Sequence, residues 1–286
     1  MRDETRRIGG EVGRGFLAFL IAIALMIGLA VATRGRVSNR SASMLGAATI
    51  AIYYLAALRW IERRQAPELE SRGRTKEFGA GLTLGIGLFS SVMAVLWAIG
   101  VYRFSGRGTF TELGSGALFA LTAAVLEEII FRAYLFRLLS AATGTWMAVL
   151  LTSALFGAAH AANPGATLFS SFAIAVEAGV ILAGAYAMTG RLWMPIGLHL
   201  GWNFAESTIW GMSVSGGTIT PGLMRGNLRG TPIVTGGAFG PEASIVAIVL
   251  CFAVGATLLW QTARLGRVQP PMWKMRAPAN ATAKAA

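Results

Sequence analysis

Four long uncharged stretches most strongly limit what this 286-residue chain can fold into. They cover residues 15–33, 41–58, 78–102 and 243–263, and each has about the 20 apolar residues that a helix needs to cross the hydrocarbon core of a bilayer. Charged residues make up only 13% of the chain, which is too few to coat a water-facing surface of this size. The sequence therefore predicts an integral membrane protein.

The region between residues 113 and 210 is also apolar, but charged residues and turns interrupt it. We expect four more helices here, at about 113–139, 146–160, 167–188 and 192–210. The predicted fold class is all-α: a polytopic membrane bundle of about eight transmembrane helices. We expect residues 1–266 to form a single domain with a functional core at about 113–210, and residues 267–286 to be a disordered cytosolic tail because they mix Pro, Lys and Ala.

The basic residues lie in short segments between the apolar runs. With the N-terminus in the cytosol, 17 Lys and Arg lie in the segments predicted to be inside and 7 in those predicted to be outside, which include a Gly-rich loop at 213–241. This bias favours both termini in the cytosol. The net charge of +12 thus reflects membrane topology, so we expect the lipid bilayer as a partner and no nucleic acid. The alternative, that the first apolar run is a cleaved signal peptide, requires a run shorter than its 19 residues.

Several ionisable side chains fall inside the predicted spans, where they are energetically costly and therefore candidates for function. Both histidines of the chain are among them. Glu206 follows His199 by seven residues, and we expect it to orient a neighbouring side chain or to end near the outer interface. A proton path of a transporter is an alternative, but the polar residues gather at one level and so favour a pocket. The set is Glu127, Glu128, Arg132, His160, Glu177, His199 and Glu206, with Asn203 as a polar companion.

Helix geometry divides these residues by role. Glu128 and Arg132 are four residues apart, so they lie on nearly the same face and can form an ion pair. Glu127 points about 100° away from Glu128 and is left free for chemistry. The alternative is that both glutamates only join a buried charge network. His199 and Asn203 are again four residues apart, and their side chains point to one spot.

Three short motifs occur in order along this region. Residues 127–132 fit E-E-x-x-x-R, residues 156–160 fit F-x-x-x-H, and residues 199–203 fit H-x-x-x-N. Together, on a hydrophobic background, they resemble the CAAX-protease and bacteriocin-processing family, also known as the type II CAAX prenyl endopeptidase or abortive-infection family. The resemblance implies an intramembrane endopeptidase that hydrolyses a peptide bond near the C-terminus of its substrate.

The resemblance also implies catalytic roles for individual residues. Glu127 would activate the attacking water as a general base, and His160 would hold or polarise that water. His199 and Asn203 would stabilise the oxyanion that develops on the substrate. Fixed donors aimed at such an oxyanion are typically worth a few kcal/mol each.

Two alternatives remain open for the participation of a metal ion. The resemblance implies that Glu128 and Arg132 support the site, and family members are usually called metalloproteases. A zinc ion bound by Glu127, His160 and His199 is one alternative, since these side chains can bind zinc. The chain has no H-E-x-x-H motif, which would supply two ligands and a base from one helix. The other alternative, no cofactor and a glutamate-activated water, is slightly favoured.

The resemblance further implies a peptide or a lipidated protein as the substrate. The Ala and Gly content and the excess of Arg over Lys predict a bacterial plasma membrane, where prenylated proteins are not expected, so peptide maturation, bacteriocin processing and self-immunity are equally plausible. The alternative function from another class is a non-catalytic immunity or scaffold protein that binds a peptide partner through the same pocket.

Overall fold

Helices dominate the computed structural model, which describes residues 2–110, 113–219 and 222–274. Many of their outward-facing aliphatic side chains, including Leu17, Ile52, Leu150 and Val249, are more than half exposed, as expected for surfaces that face lipid. The all-α membrane bundle is therefore confirmed, whereas the number eight stays a prediction. Six helices in the described residues are long and apolar enough to cross a membrane: Gly9–Thr33, Ser41–Glu62, Arg74–Ala98, Thr145–Ala162, Leu168–Thr189 and Ile245–Arg264.

Eight helical runs are labelled here in chain order. The first three are α1 (Arg2–Thr33), α2 (Asn39–Ala57, continued by Leu58–Glu62) and α3 (Arg74–Ala98). Helix α4 comprises Leu113–Glu128, Ile129–Phe136 and Arg137–Thr143, and α5 comprises Thr145–Ala159 with a final 3-10 turn at His160–Ala162. Helix α6 comprises Leu168–Ile174, Ala175–Val180 and Ile181–Thr189, α7 comprises Trp193–Phe204 and Ala205–Ile209, and α8 is Ile245–Arg264.

Local sequence signals explain several helix ends. The side-chain oxygens of Ser38, Thr167 and Ser244 accept hydrogen bonds from backbone N–H groups in the first turns of α2, α6 and α8. Such capping satisfies donors that have no partner within the helix. Gly190 caps the C-terminal end of α6, and its φ of +68° lies in the left-handed region that favours glycine.

Four stretches of these helices are wound more widely than an α-helix, as π-helix. They are Leu58–Glu62, Ile129–Phe136, Ala175–Val180 and Ala205–Ile209. Each contains a buried ionisable side chain that is at most 3% exposed: Glu62, Arg132, Glu177 and Glu206, respectively. Wide turns of this kind are rare and occur often at functional sites.

Helices α3 and α7 cross with their backbones in contact. Glycines on both helices allow this, because a Cβ atom at Gly81, Gly85, Gly197 or Gly201 would overlap backbone atoms of the opposite helix. Each helix thus supplies a G-x-x-x-G pair, the spacing with which small residues let two membrane helices approach closely. The crossing fixes the position of α7, which carries His199.

The third predicted span, 78–102, is too long at its C-terminal end. Helix α3 ends at Ala98, and Gly100 then adopts a φ of +77° that turns the chain away. Tyr102–Arg107 forms strand β1, which pairs antiparallel with strand β2 at Met224–Leu228. The loop predicted at 213–241 therefore contains a strand, and also the short helix Pro232–Thr235.

A buried ion network closes the end of the bundle where α2 ends. Arg64 Nε lies 2.8 Å from Glu62 Oε2, and Arg64 Nη2 lies 2.5 Å from Glu68 Oε1. Arg137 Nη2 reaches the same Glu62 oxygen at 2.6 Å, and the hydroxyl of Tyr54 donates to Glu68. Two buried carboxylates are thereby paired with two arginines from different parts of the chain.

The segment after α8 packs against the turn between α4 and α5. The backbone N–H of Thr145 donates to Gln269 O at 3.0 Å, and the Gln269 N–H donates back to Thr145 Oγ1 at 2.8 Å. The first part of the predicted disordered tail, up to residue 274, is thus described, and residues 275–286 lie outside the described part of the chain.

Candidate active site

Three helices bring the predicted catalytic residues together. Glu127 lies at the end of the regular part of α4, just before its wide segment. His160 lies in the final turn of α5, and His199 lies in the middle of α7. Glu127 Oε2 is 4.0 Å from His160 Nε2 and 3.9 Å from His199 Nε2. Residues far apart in the sequence therefore meet around one carboxylate oxygen.

The second nitrogen of each imidazole is held by its own helix or by a neighbour. His160 Nδ1 donates to the Phe156 carbonyl at 2.8 Å, and His199 Nδ1 donates to Glu128 Oε1 at 2.9 Å. These bonds fix the ring orientations, so that both Nε2 atoms point to Glu127. That oxygen of Glu127 is buried and has no hydrogen-bond partner among the described residues.

The ion pair that the spacing of Glu128 and Arg132 predicts is present. Arg132 Nη1 lies 3.0 Å from Glu128 Oε1, the same oxygen that accepts from His199. Arg132 Nη2 also donates to the carbonyls of Ala178 and Gly179, at 3.2 and 3.4 Å, in the wide segment of α6. The pair therefore links α4 to both α6 and α7, and it is at most 1% exposed.

A small cavity lies beside the two histidines. Its volume of about 30 Å³ has room for one or two water molecules. The Asn203 side chain lines it, is 7% exposed and forms no hydrogen bond within the described residues. A buried amide without a partner is available to donate to a substrate oxygen.

The spacing of the three predicted catalytic side chains can be compared with what a metal and a water each require. Zinc bonds of about 2.0–2.2 Å in a tetrahedral site place two donor atoms about 3.4 Å apart. The separations of 3.9 and 4.0 Å around Glu127 Oε2 are wider. A water oxygen about 2.8 Å from both Glu127 Oε2 and one of the Nε2 atoms would see these two atoms at an angle of about 90°. A hydrogen-bonded water tolerates this angle. As placed, Glu127, His160 and His199 fit a water and do not fit a tetrahedral zinc ion.

Three further buried carboxyl groups lie at the cavity or next to its lining. Glu177 and Glu242 line it, and Glu206 is fully buried close to Glu242. Burial raises the pKa of Glu242, although its interactions with Glu206, with His160 and with the Ser215 N–H partly oppose this. The sequence indicates Glu177 and Glu206 as intramembrane carboxyls, and the structure places both in the protein interior, at most 2% exposed.

Two features of this site have no signal in the sequence motifs. The bond from His199 to Glu128 joins residues 71 positions apart, and Glu242 stands outside all three motifs, just before an apolar run. A carboxyl directly before a predicted span is the only sequence signal for Glu242, and it equally fits a loop residue.

Comparison with known proteins bears on the same part of the chain. Residues 109–205 match the family described as type II CAAX prenyl endopeptidase Rce1-like. An 81-residue stretch is 36% identical to YdiL of Bacillus subtilis (strain 168), whose name gives it as a candidate membrane peptidase. This stretch covers 28% of the present chain and 31% of YdiL, so the match spans about a third of that relative. No solved structure matches the chain significantly.

All three motifs lie within the matched residues 109–205, since they span residues 127–132, 156–160 and 199–203. The motifs, the family match and the similarity to YdiL agree with one another. Over this region, the chain is similar to the type II CAAX prenyl endopeptidase Rce1-like family.

Proposed function

We propose that the protein is an intramembrane endopeptidase that hydrolyses a peptide bond near the C-terminus of a peptide or lipidated protein. The observation that carries this proposal is the buried, unpartnered oxygen of Glu127 facing two imidazole nitrogens at 3.9 and 4.0 Å. The family match and the name of YdiL support a peptidase of this class.

The proposed reaction uses a water held between Glu127 and the histidines. Glu127 accepts a proton from the water as the oxygen attacks the carbonyl carbon of the scissile bond. His160, oriented by the Phe156 carbonyl, hydrogen-bonds to the water. A positioned general base typically contributes 10²–10⁴-fold to the rate.

The tetrahedral intermediate carries a negative oxygen that needs donors. Asn203 has a free amide beside the cavity. His199 can donate from Nε2 when it carries two protons, and Glu128 stabilises that form by accepting from Nδ1. Arg132 keeps Glu128 in place from the opposite side. Arg132, Glu128 and His199 thus act together to stabilise the oxyanion, whereas Glu127 deprotonates the water.

The test is cleavage of two internally quenched peptides by the protein in detergent, one with a farnesylated C-terminal CAAX sequence and one without the lipid. We expect cleavage of at least one by the wild type and a loss of at least about 100-fold in Glu127→Gln. Glu11→Gln, the same change at an exposed site on α1, is the matched control and should keep full activity.

The two outcomes that contradict the proposal are distinct. Cleavage that survives in Glu127→Gln would remove Glu127 as the base. Absence of cleavage of either peptide by a well-folded wild type would contradict an endopeptidase of this specificity and favour the peptide-binding immunity role.

A further inference from the structure

Three buried carboxyl groups form what we call the carboxyl wall of the catalytic cavity: Glu177 and Glu242 line the cavity, and Glu206 lies beside Gly240, two residues before Glu242. Glu177 comes from α6, Glu206 from α7, and Glu242 from the 3-10 turn Pro241–Ala243 before α8. All three are at most 2% exposed, and no Lys or Arg of the described residues forms an ion pair with them. Buried charges are costly without a counter-ion, so this wall is not a set of three carboxylates.

The hydrogen bonds at this wall separate Glu177 from the other two. Glu177 Oε2 accepts from the thiol of Cys251 at 3.8 Å. Glu206 Oε1 lies beside Gly240, two residues before Glu242, and both Glu206 oxygens are buried without a hydrogen-bond partner among the described residues. Two neighbouring carboxyls that are both buried cannot both ionise easily, and such a pair retains a proton.

The position of Glu242 relative to the histidines is fixed by a short chain of bonds. Glu242 Oε1 accepts from the Ser215 N–H at 2.6 Å, and the Ser215 carbonyl accepts from Asn163 Nδ2 at 3.0 Å. Asn163 follows directly after the turn that holds His160. Ser215 itself has a φ of +48°, a conformation that non-glycine residues adopt rarely and often at functional sites. The loop thus holds Glu242 at the cavity that His160 and His199 line.

We propose that the Glu206–Glu242 pair is the general acid that protonates the leaving amine, which extends the proposed peptidase function and rests on it. When the C–N bond of the tetrahedral intermediate breaks, its electron pair goes to nitrogen. The pair transfers its proton to that nitrogen, while the new C–O bond comes from the water that Glu127 deprotonated. Glu127 then holds one proton more and the pair one fewer, and exchange with solvent water restores both.

In this assignment, the two groups of side chains act on different atoms of the scissile bond. The histidines and Asn203 receive the water and the carbonyl oxygen, and the Glu206–Glu242 pair receives the nitrogen. Glu127 faces the histidines and does not line the cavity next to the carboxyls. Because the acid is a separate group, Glu127 does not need to move from the water to the leaving nitrogen within a single turnover.

The experiment compares the amide substrate of the proposed function with an analogue in which sulfur replaces the scissile N–H. A thiolate leaves without a proton, so hydrolysis of the thioester does not need the acid. We expect Glu242→Gln to lower kcat for the amide about 100-fold and to leave the thioester within about threefold of wild type. Glu206→Gln should give the same pattern, whereas Glu127→Gln should lower hydrolysis of both substrates.

Substitution by glutamine is chosen so that the site stays folded and its integrity can be checked. Its side-chain oxygen can still accept from the Ser215 N–H, and retained thioester hydrolysis shows that the site is intact. If Glu242→Gln loses activity equally on both substrates, Glu242 is a structural residue and the proposal fails. The proposal also fails if Glu242→Gln hydrolyses the amide as fast as wild type does. If the wild type hydrolyses neither substrate, the proposed peptidase function fails instead, so the two failures are distinguishable.

Discussion

Glu127 and Glu128 are adjacent in the sequence but have opposite surroundings. The Glu127 side chain is 28% exposed and makes no hydrogen bond at its buried oxygen, whereas Glu128 is fully buried and binds both Arg132 and His199. A helix turns about 100° per residue, so neighbours face different partners. One glutamate is thereby available to a water while the other holds an imidazole in place.

We predict that Arg132→Met lowers the free energy of unfolding by about 3–5 kcal/mol, because it leaves the buried carboxylate of Glu128 without its main counter-charge. The double variant Glu128→Gln/Arg132→Met should lose less than the sum of the two single variants, since both partners are then removed. Denaturant unfolding in detergent measures these differences. Additive losses would show that the two residues do not interact energetically.

A second prediction at this scale concerns metal removal. Because the donor spacing around Glu127 suits a water, we expect peptide cleavage to be unchanged after dialysis against a strong zinc chelator. The measurement is the initial cleavage rate before and after chelation, with elemental analysis of the protein. A loss of activity that zinc restores would contradict the glutamate-activated water and favour the zinc set of Glu127, His160 and His199.

At this scale the sequence predicts local relations and misses distant ones. The ion pair of Glu128 with Arg132 follows from their spacing of four residues on a helix. The bond from Glu128 to His199 depends on how α4 packs against α7, which no spacing rule contains. Glu242 is missed for the same reason, because its role depends on a loop that folds back over the cavity.

Among the elements, the crossing of α3 with α7 does most to position the site. Its four glycines remove all side-chain atoms between the two backbones, so the helices cannot slide without clashing. Close packing of small residues gives membrane helices much of their affinity for each other. His199 and Asn203 on α7 are therefore held by a helix that contributes no catalytic side chain.

We predict that Gly85→Ala destabilises the protein by about 1–3 kcal/mol, because the new methyl group meets backbone atoms of α7 near Trp202. The matched control is Gly87→Ala on the same helix, where nothing lies within 4 Å of the added atom. It should be neutral or stabilising by up to about 1 kcal/mol, since alanine favours helix over glycine. Thermal unfolding of both variants measures the difference, and equal effects would contradict a tight crossing.

The apolar runs predict the long helices but not their irregularities. Runs at 41–58 and 243–263 fall within four residues of helices α2 and α8 at every end. Each wide segment contains a buried Glu or Arg, but an apolar run carries no signal for where a helix widens. Strand β1 is missed because its partner lies more than a hundred residues later, in the Gly-rich loop.

For the molecule as a whole, the ion network of Glu62, Arg64, Glu68 and Arg137 ties together the end of α2, the following loop and α4. Burial by itself would raise the pKa of Glu68, but hydrogen bonds from Arg64 and its positive charge lower the pKa overall. The folded state thus binds the Glu68 proton more weakly than the unfolded state does. Stability from this group is present above about pH 4.5 and is lost as the pH falls through the folded pKa.

We therefore predict that Glu68→Gln lowers the thermal unfolding midpoint at pH 7 by several degrees, and that its difference from wild type shrinks as the pH falls below about 4.5. Thermal unfolding in detergent across this range is the measurement. Glu11→Gln, an exposed substitution, should follow the wild type throughout. A difference that is constant with pH would show that Glu68 acts through packing and not through its charge.

The glycine crossing also has an evolutionary consequence. Gly81 and Gly85 lie outside residues 109–205, the part of the chain that matches the family, whereas Gly197 and Gly201 lie inside it. A larger residue on either helix is tolerated only if the opposite helix retreats or loses volume. In relatives of this chain, we expect these four positions to vary together, and a graft of the motif region into another scaffold to fail unless the partner helix is transferred with it.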